Sequence, residues 1–340
     1  MPLFQIVTTA FNAIAPIVIL ILFGYFLKST GFLTQEFASV GNAFVFRFCI
    51  PAMLLLNIYD IENLEDVNWR ITVYCLLAAC IIFVIGLIAS ILSTQVPERR
   101  GVLLQCSFRS NFAIIGLPLA NMLGGSASVG VAAVISAASI PVFNILAVIS
   151  LNIFLNTKGN IKARLKSILI NILKNPLIQG VALGLVCLGI RALQLQYFGE
   201  IAFSLREDLH LLHTFLSQLK SITTPLSLII LGAQFEFSAV RSLFKEIVVG
   251  TVSRTVIAPM IGIGLAIFLT NKGILQCSTT EIPALVALFG SPVAVSSAIM
   301  ASSMKNDGQL AAQLVVWTSI ASVFTLFIQI CILLYLGWIV

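Results

Sequence analysis

The stretch RSNFAIIGLP, residues 109–118, sets Arg109, Ser110 and Asn111 beside Gly116 and Pro118, and opens a run from Ser110 to Thr157 without a charged residue. Proline lacks the amide proton that a helix needs, and its ring clashes with the carbonyl four residues back, here that of Ile114. The glycine two positions earlier lets the backbone leave helical geometry at little steric cost. An arginine in such a stretch must find carbonyls, water or a visiting anion, because a bare cation in hydrocarbon is costly. The stretch therefore reads as a membrane helix interrupted beside a buried cation.

Composition supports the lipid setting. Of 340 residues, 59% are apolar and 9% charged, where about a quarter of an ordinary soluble domain is charged. Mean hydropathy is +1.08. So few charges cannot keep this much hydrocarbon wet, so most of the surface must face lipid. The net charge of +6 reports which loops face the cytoplasm and gives no reason to expect nucleic acid as a partner. The seven cysteines lie mostly in apolar runs and form no Cys-x-x-Cys pair, which reads as buried thiols rather than disulfides or a metal site. No cofactor is implied. Met1 to Leu27 carries no charge, so the first apolar run reads as a retained span rather than a cleaved signal.

Apolar runs of about 20 residues, enough to cross ~30 Å of hydrocarbon as helix, recur near 9–27, 37–59, 71–94, 102–123, 127–155, 167–190, 214–235, 244–270, 282–304 and 309–337. The expected fold is all-α, with ten transmembrane helices. With the N-terminus outside, the cytoplasmic connections hold ten basic residues: Lys28, Arg99, Arg100, Lys158, Lys162, Arg164, Lys166, Arg241, Lys245 and Lys305. The outer connections hold four, namely Arg70, Arg191, Arg206 and Lys272. That bias places both termini outside.

The two halves share punctuation. Pro16 and Gly24 in span 1 match Pro176 and Gly184 in span 6, and Pro51 in span 2 matches Pro225 in span 7. Gly116-Leu117-Pro118 in span 4 matches Gly290-Ser291-Pro292 in span 9. The first pair is offset by 160 and the later pairs by 174, which an inserted segment around Arg191–His213, lying at the interface as a helix, would reconcile. Paired interruptions of this kind mark transporter repeats, and an odd number of spans per half makes the halves inverted. The expected organisation is a first repeat over 1–157 and a second over 158–340, with spans 4 and 9 broken and crossing at mid-membrane. There, half-helix N-termini would face an anion and freed carbonyls a cation.

Arg109 lies about 15 Å below the Arg99-Arg100 pair at helical rise, and Arg47 and Arg254 are about as deep. For Arg47 and Arg254 the expected role is snorkelling or binding helix-end carbonyls; for Arg109, bidentate contact with a carboxylate ligand. Candidate supporting groups are Ser110, Asn111 and Asn144 in the first half, and Ser291, Ser296, Ser297 and Gln313 in the second. Asp307, at the turn after span 9, either titrates as a coupling group or caps span 10.

FRSNFAIIGLP at 108–118, NPLIQGVALGL at 175–185, and SPVAVSSAIMA at 291–301 with Asp307, Ala311-Ala312-Gln313 and Thr318 resemble the auxin efflux carrier family, including its bacterial malate or malonate permeases. The resemblance implies a ten-helix 5+5 inverted repeat similar to bile-acid sodium symporters. It implies a scaffold of spans 1, 2, 6 and 7, through which a homodimer would form, and a mobile crossover domain of spans 3–5 and 8–10. It places Asn111, Pro118 and Pro292 at the crossover and suggests a small organic anion as substrate, carried across a plasma membrane such as the bacterial inner membrane. Two departures stand out: Asn156–Lys166 is short and basic where plant carriers have a long loop, and no acid within 282–304 matches the symporters' sodium-site residue.

An enzyme is the main rival class, but His210 and His213 lie in the inserted outer segment and no acid pair falls within the spans. Two histidines without a third ligand do not make a metal site. An anion-binding sensor or channel of the same fold remains the alternative to a carrier.

Overall fold

In hydrocarbon every backbone amide must be satisfied within the chain, so the apolar runs have helix as their outlet. The computed structural model describes residues 3–60, 69–155, 170, 173–201, 203–236 and 238–339, and these are helical apart from turns and one isolated bridge. The helices are α1 (Leu3–Ser29), α2 (Gln35–Tyr59), α3 (Trp69–Ser93), α4 (Pro97–Phe108), α5 (Leu117–Ile153, two helices joined at a kink where Gly125 has φ 65) and α6 (Pro176–Phe198). They continue as α7 (His210–Gln234), α8 (Phe244–Asn271), α9 (Glu281–Gly290), α10 (Ser296–Ser303) and α11 (Gly308–Tyr335). Among the described residues seven helices are long and apolar enough to span a bilayer: α2, α3, α6, α7, α8, α11, and the Ala127–Ile153 part of α5. Spans 4 and 9 are interrupted, as expected, though the first break lies at a different residue.

Prolines explain much of the local geometry. Wide π turns at Val45–Cys49, Phe112–Gly116, Ser253–Ile257 and Val286–Gly290 each end two residues before a proline: Pro51, Pro118, Pro259 and Pro292. A wide turn lets the carbonyl orphaned by a proline meet the next amide along, so the helix can pass through. It does so at Pro51 and at Pro118, which falls in the first turn of α5. The expectation of a break at Gly116–Pro118 is therefore corrected. The chain leaves helical geometry earlier, at Arg109 (φ −80, ψ 104), and it is helical again from Phe112. The second break falls where expected, with Ser291 extended (φ −63, ψ 147).

The segment Arg191–His213 also departs from expectation. Helix α6 runs on to Phe198 and stops at left-handed Gly199 (φ 74), and α7 starts at His210, so no separate interfacial helix forms among the described residues. The loop acids Glu62, Glu65 and Asp66 and the basic loop Asn156–Lys166 lie outside the described residues. Asp60 is described, and it pairs with Arg206 and Lys220, each at 3.1 Å.

Packing divides the helices into two groups. α1 packs on α7, and α2 on α6 and α7; in the other group α3 packs on α4, α5 on α4 and α9, and α11 on α8 and α10, while α1 also packs on α11 across the two groups. The closest approach is α1 against α7, where a Cβ on Gly24 or Gly232 would collide with the carbonyl of Ile229 or Ile21, the small-residue contact by which membrane helices associate. The interruptions of both broken segments lie in the second group.

Candidate functional site

The two breaks meet. Asn111 N donates to Pro292 O at 2.8 Å, and Ala294 N donates to Arg109 O at 3.2 Å, closing an antiparallel bridge between Ser110 and Val293. Each extended stretch thus satisfies backbone groups that its own helix no longer serves. Behind the crossing, Gly116 allows the wide turn to lie against α9: a Cβ there would sit 2.8 Å from the Ala287 carbonyl.

Arg109 is buried, 4% exposed, and reaches across three helices. Its Nη2 donates to Asn144 Oδ1 at 2.9 Å on α5 and to Ser296 Oγ at 3.0 Å on α10, and its Nη1 contacts Met300 Sδ. Asn144 is oriented for this by its own amide, which donates to Ile140 O at 2.8 Å. No acid appears among these partners.

A cavity of about 70 Å³ lies against the crossing. One wall is Arg109, Ser110, Asn111, Asn144 and Ser296; the other is Asn57 of α2 with Thr223, Thr224 and Ser227 of α7. Phe112, Phe143 and Met53 supply apolar lining. The Ser110 hydroxyl is buried without a hydrogen-bond partner among the described residues. Among the described residues the lining contains a guanidinium, amides and hydroxyls and no carboxylate, so its electrostatics favour an anion. A larger void of about 500 Å³ lies between α8 and α11, but Met260, Ile328 and Ile332 in its wall are exposed on the bundle surface where acyl chains would run. Chemistry rather than size selects the smaller one.

Five of the expected residues thus converge: Arg109, Ser110, Asn111, Asn144 and Ser296. Pro292 contributes its carbonyl to the bridge. Gly116, Gly290, Ser291, Ser297 and Gln313 do not line the cavity, and the side chain of Pro118 lies outside the described residues. Ser291 Oγ turns back to Ala287 O at 2.6 Å, the Ser297 hydroxyl is buried elsewhere, and Gly290 packs against Leu326. Gln313 lies in the second turn of α11, donating to Glu236 O at 2.7 Å and accepting from Trp317 at 3.1 Å. Asp307 caps α11 through the Leu310 amide at 2.8 Å and pairs with Arg99 at 3.1 Å. Of the deep arginines, Arg47 is exposed on the bundle surface, whereas Arg254 binds helix-end carbonyls. His213 packs against the Tyr59 ring, and among the described residues no group of three or more His, Cys, Asp or Glu could hold a metal.

The wall formed by Asn57, Thr223, Thr224 and Ser227 was missed from sequence. Its signal was present: polar side chains cluster around Pro225 inside an otherwise apolar span. A model of the membrane transport protein family matches residues 9–330. A protein of Methanocaldococcus jannaschii described as an uncharacterized transporter is 26% identical over 266 residues, covering 76% of this chain and 79% of that protein.

Proposed function

Because the chain belongs to the membrane transport family, that of the auxin efflux carriers, we propose that it is a secondary transporter of a small organic anion held where its two broken helices cross. The observation that carries this reading is the buried guanidinium of Arg109 in a cavity lined, among the described residues, by amides and hydroxyls and by no carboxylate. Three of its five N–H donors are directed at Asn144, Ser296 and Met300, which leaves two for a guest carboxylate. Ser110, Asn111 and the facing Thr223, Thr224 and Asn57 would complete the ligand's hydrogen bonds.

The architecture proposed around the site is ten crossings in two inverted halves, 1–157 and 158–340. Seven long spans, α1 and the two interrupted segments supply the crossings, and the antiparallel meeting of the breaks is what an inverted pair produces. One cavity wall comes from α2 and α7, the other from α4, α5 and α10, which suits a scaffold of spans 1, 2, 6 and 7 and a moving body of the rest. The cavity is narrow as it stands, about 70 Å³, and an organic acid would enter as the walls part. Alternating access is that parting on one face and then the other. The basic bias of the loops supports outer termini in a plasma membrane, and a dimer through the scaffold is part of the same reading.

The test is flux. Vesicles containing the purified protein and preloaded with small mono- or dicarboxylates should show saturable uptake with counterflow. Unsaturable flux would assign a channel, and a ligand-induced rise in thermal midpoint without flux would assign a sensor.

A further inference from the structure

Arg254 lies in the wide turn Ser253–Ile257 of α8 and has 0% exposure. Its guanidinium donates to four main-chain carbonyls: Nε to Ser291 at 2.8 Å, Nη1 to Phe108 at 3.1 Å, and Nη2 to Leu288 at 2.9 Å and Phe289 at 3.1 Å. All four belong to the ends of broken helices, Phe108 closing α4 and the other three closing α9. The Leu288 contact has a specific origin. In an unbroken helix that carbonyl would accept from residue 292, which is proline and has no proton to give. Arg254 supplies it.

The charges match as well. A helix C-terminus carries roughly half a negative elementary charge, so two converging ends present about one, opposite a single guanidinium. Partners spread over two chain segments suit a planar fork with five donors better than a spherical ion, around which the carbonyls would have to converge.

We propose that Arg254 is a tethered counter-cation for the crossing. It satisfies from within the chain four carbonyls at the ends of both broken helices, and it fixes the geometry of both breaks. It acts as a positioning residue: Phe108 immediately precedes Arg109, and Ser291 immediately precedes Pro292, whose carbonyl holds Asn111. The proposal goes beyond the transport reading. Its test reads stability and thiol protection rather than flux, so either can fail while the other stands.

The experiment replaces the guanidinium with a hydrocarbon chain, Arg254→Met, in protein held in lipid nanodiscs. The thermal midpoint should fall by roughly 5–10 °C. Methylguanidinium at about 10 mM should restore at least part of the loss while leaving the parent protein unmoved. Sodium or tetramethylammonium at equal ionic strength should restore none. A parent-like midpoint, no rescue, or rescue by sodium as strong as by methylguanidinium would overturn the proposal. If Arg254→Met does not accumulate, Arg254→Lys decides the matter. One ammonium cannot span both segments, so buried Cys106, in the last turn of α4, should react with maleimide about tenfold faster than in the parent. An unchanged rate would overturn it.

Discussion

Arg109 and Arg254 are buried on either side of the same crossing, 4% and 0% exposed, but they are held by different kinds of partner. Arg254 is bound by four main-chain carbonyls that cannot turn away without unwinding a helix end. Arg109 is bound by an amide, a hydroxyl and a thioether, each on a side chain with rotamers to spare. A cation held by backbone is part of the scaffolding, whereas one held by side chains can exchange partners with a guest. On this contrast the crossing separates its two electrostatic tasks: carbonyl ends are neutralised permanently on one side, and an exchangeable positive charge faces the cavity on the other.

The largest expected effect tests that contrast directly. Arg109→Ala should lower saturable uptake about a hundredfold, the scale of a lost charge-assisted hydrogen-bond pair at ~3 kcal/mol. Its thermal midpoint should fall by less than that of Arg254→Met, because Asn144 and Ser296 can re-pair. Uptake kinetics and a melting curve on the same preparation check both halves. Equal thermal losses for the two variants would erase the distinction.

The next effect concerns the cavity's other wall. Asn42 Nδ2 of α2 donates to Ser303 Oγ of α10 at 2.9 Å, joining the two groups of helices. If the groups part during transport, cysteines at these two positions bridged by a short thiol cross-linker should cut counterflow about tenfold or more, and reduction should restore it. Full counterflow in the cross-linked protein would mean that Arg109 meets its guest without that movement.

Much of this was legible in the sequence, and the part that was not has a physical cause. Hydropathy located the seven long spans found among the described residues because lipid leaves the backbone no alternative to helix. Arg109, Ser110 and Asn111 stood out because polar groups are conspicuous in such a run. The break beside them was misplaced, since Pro118 looks like a breaker and residues 109–111 contain neither glycine nor proline. That interruption is made by its partner: the stretch is extended because Pro292 O and Ala294 N pair with it from more than 180 residues away. The proline signal failed at 118, where the chain passes through a wide turn into α5 and stays helical. It succeeded at 292, where Arg254 takes the orphaned Leu288 carbonyl. Matching Gly116-x-Pro118 with Gly290-x-Pro292 therefore found two real features that are not structural equivalents.

A smaller effect is expected for the side chains that orient Arg109. Asn144→Ala and Ser296→Ala each remove one acceptor, worth about 1 kcal/mol, and should raise the half-saturating substrate concentration about three- to tenfold with little change in melting. The double variant should fall short of the sum, because both act through one guanidinium. Additive losses would mean that the two residues meet the substrate independently of Arg109.

Arg99 completes the comparison as an arginine that does have acids: Glu246 and Asp307, each at 3.1 Å, at the end of the bundle. Its side chain is 27% exposed, where an ion pair contributes about 0–1 kcal/mol. Asp307→Asn keeps an acceptor for the Leu310 amide, since asparagine caps helices as well as aspartate does, and Arg99 retains Glu246. Stability should therefore change by no more than about 1 kcal/mol, and the dependence of uptake on pH should match that of the parent. If the variant instead lost a pH dependence that the parent shows, Asp307 would be a titrating partner in transport. The division between a fixed and an exchangeable arginine would then have to extend from the crossing to the bundle end, with Arg99 reporting the proton.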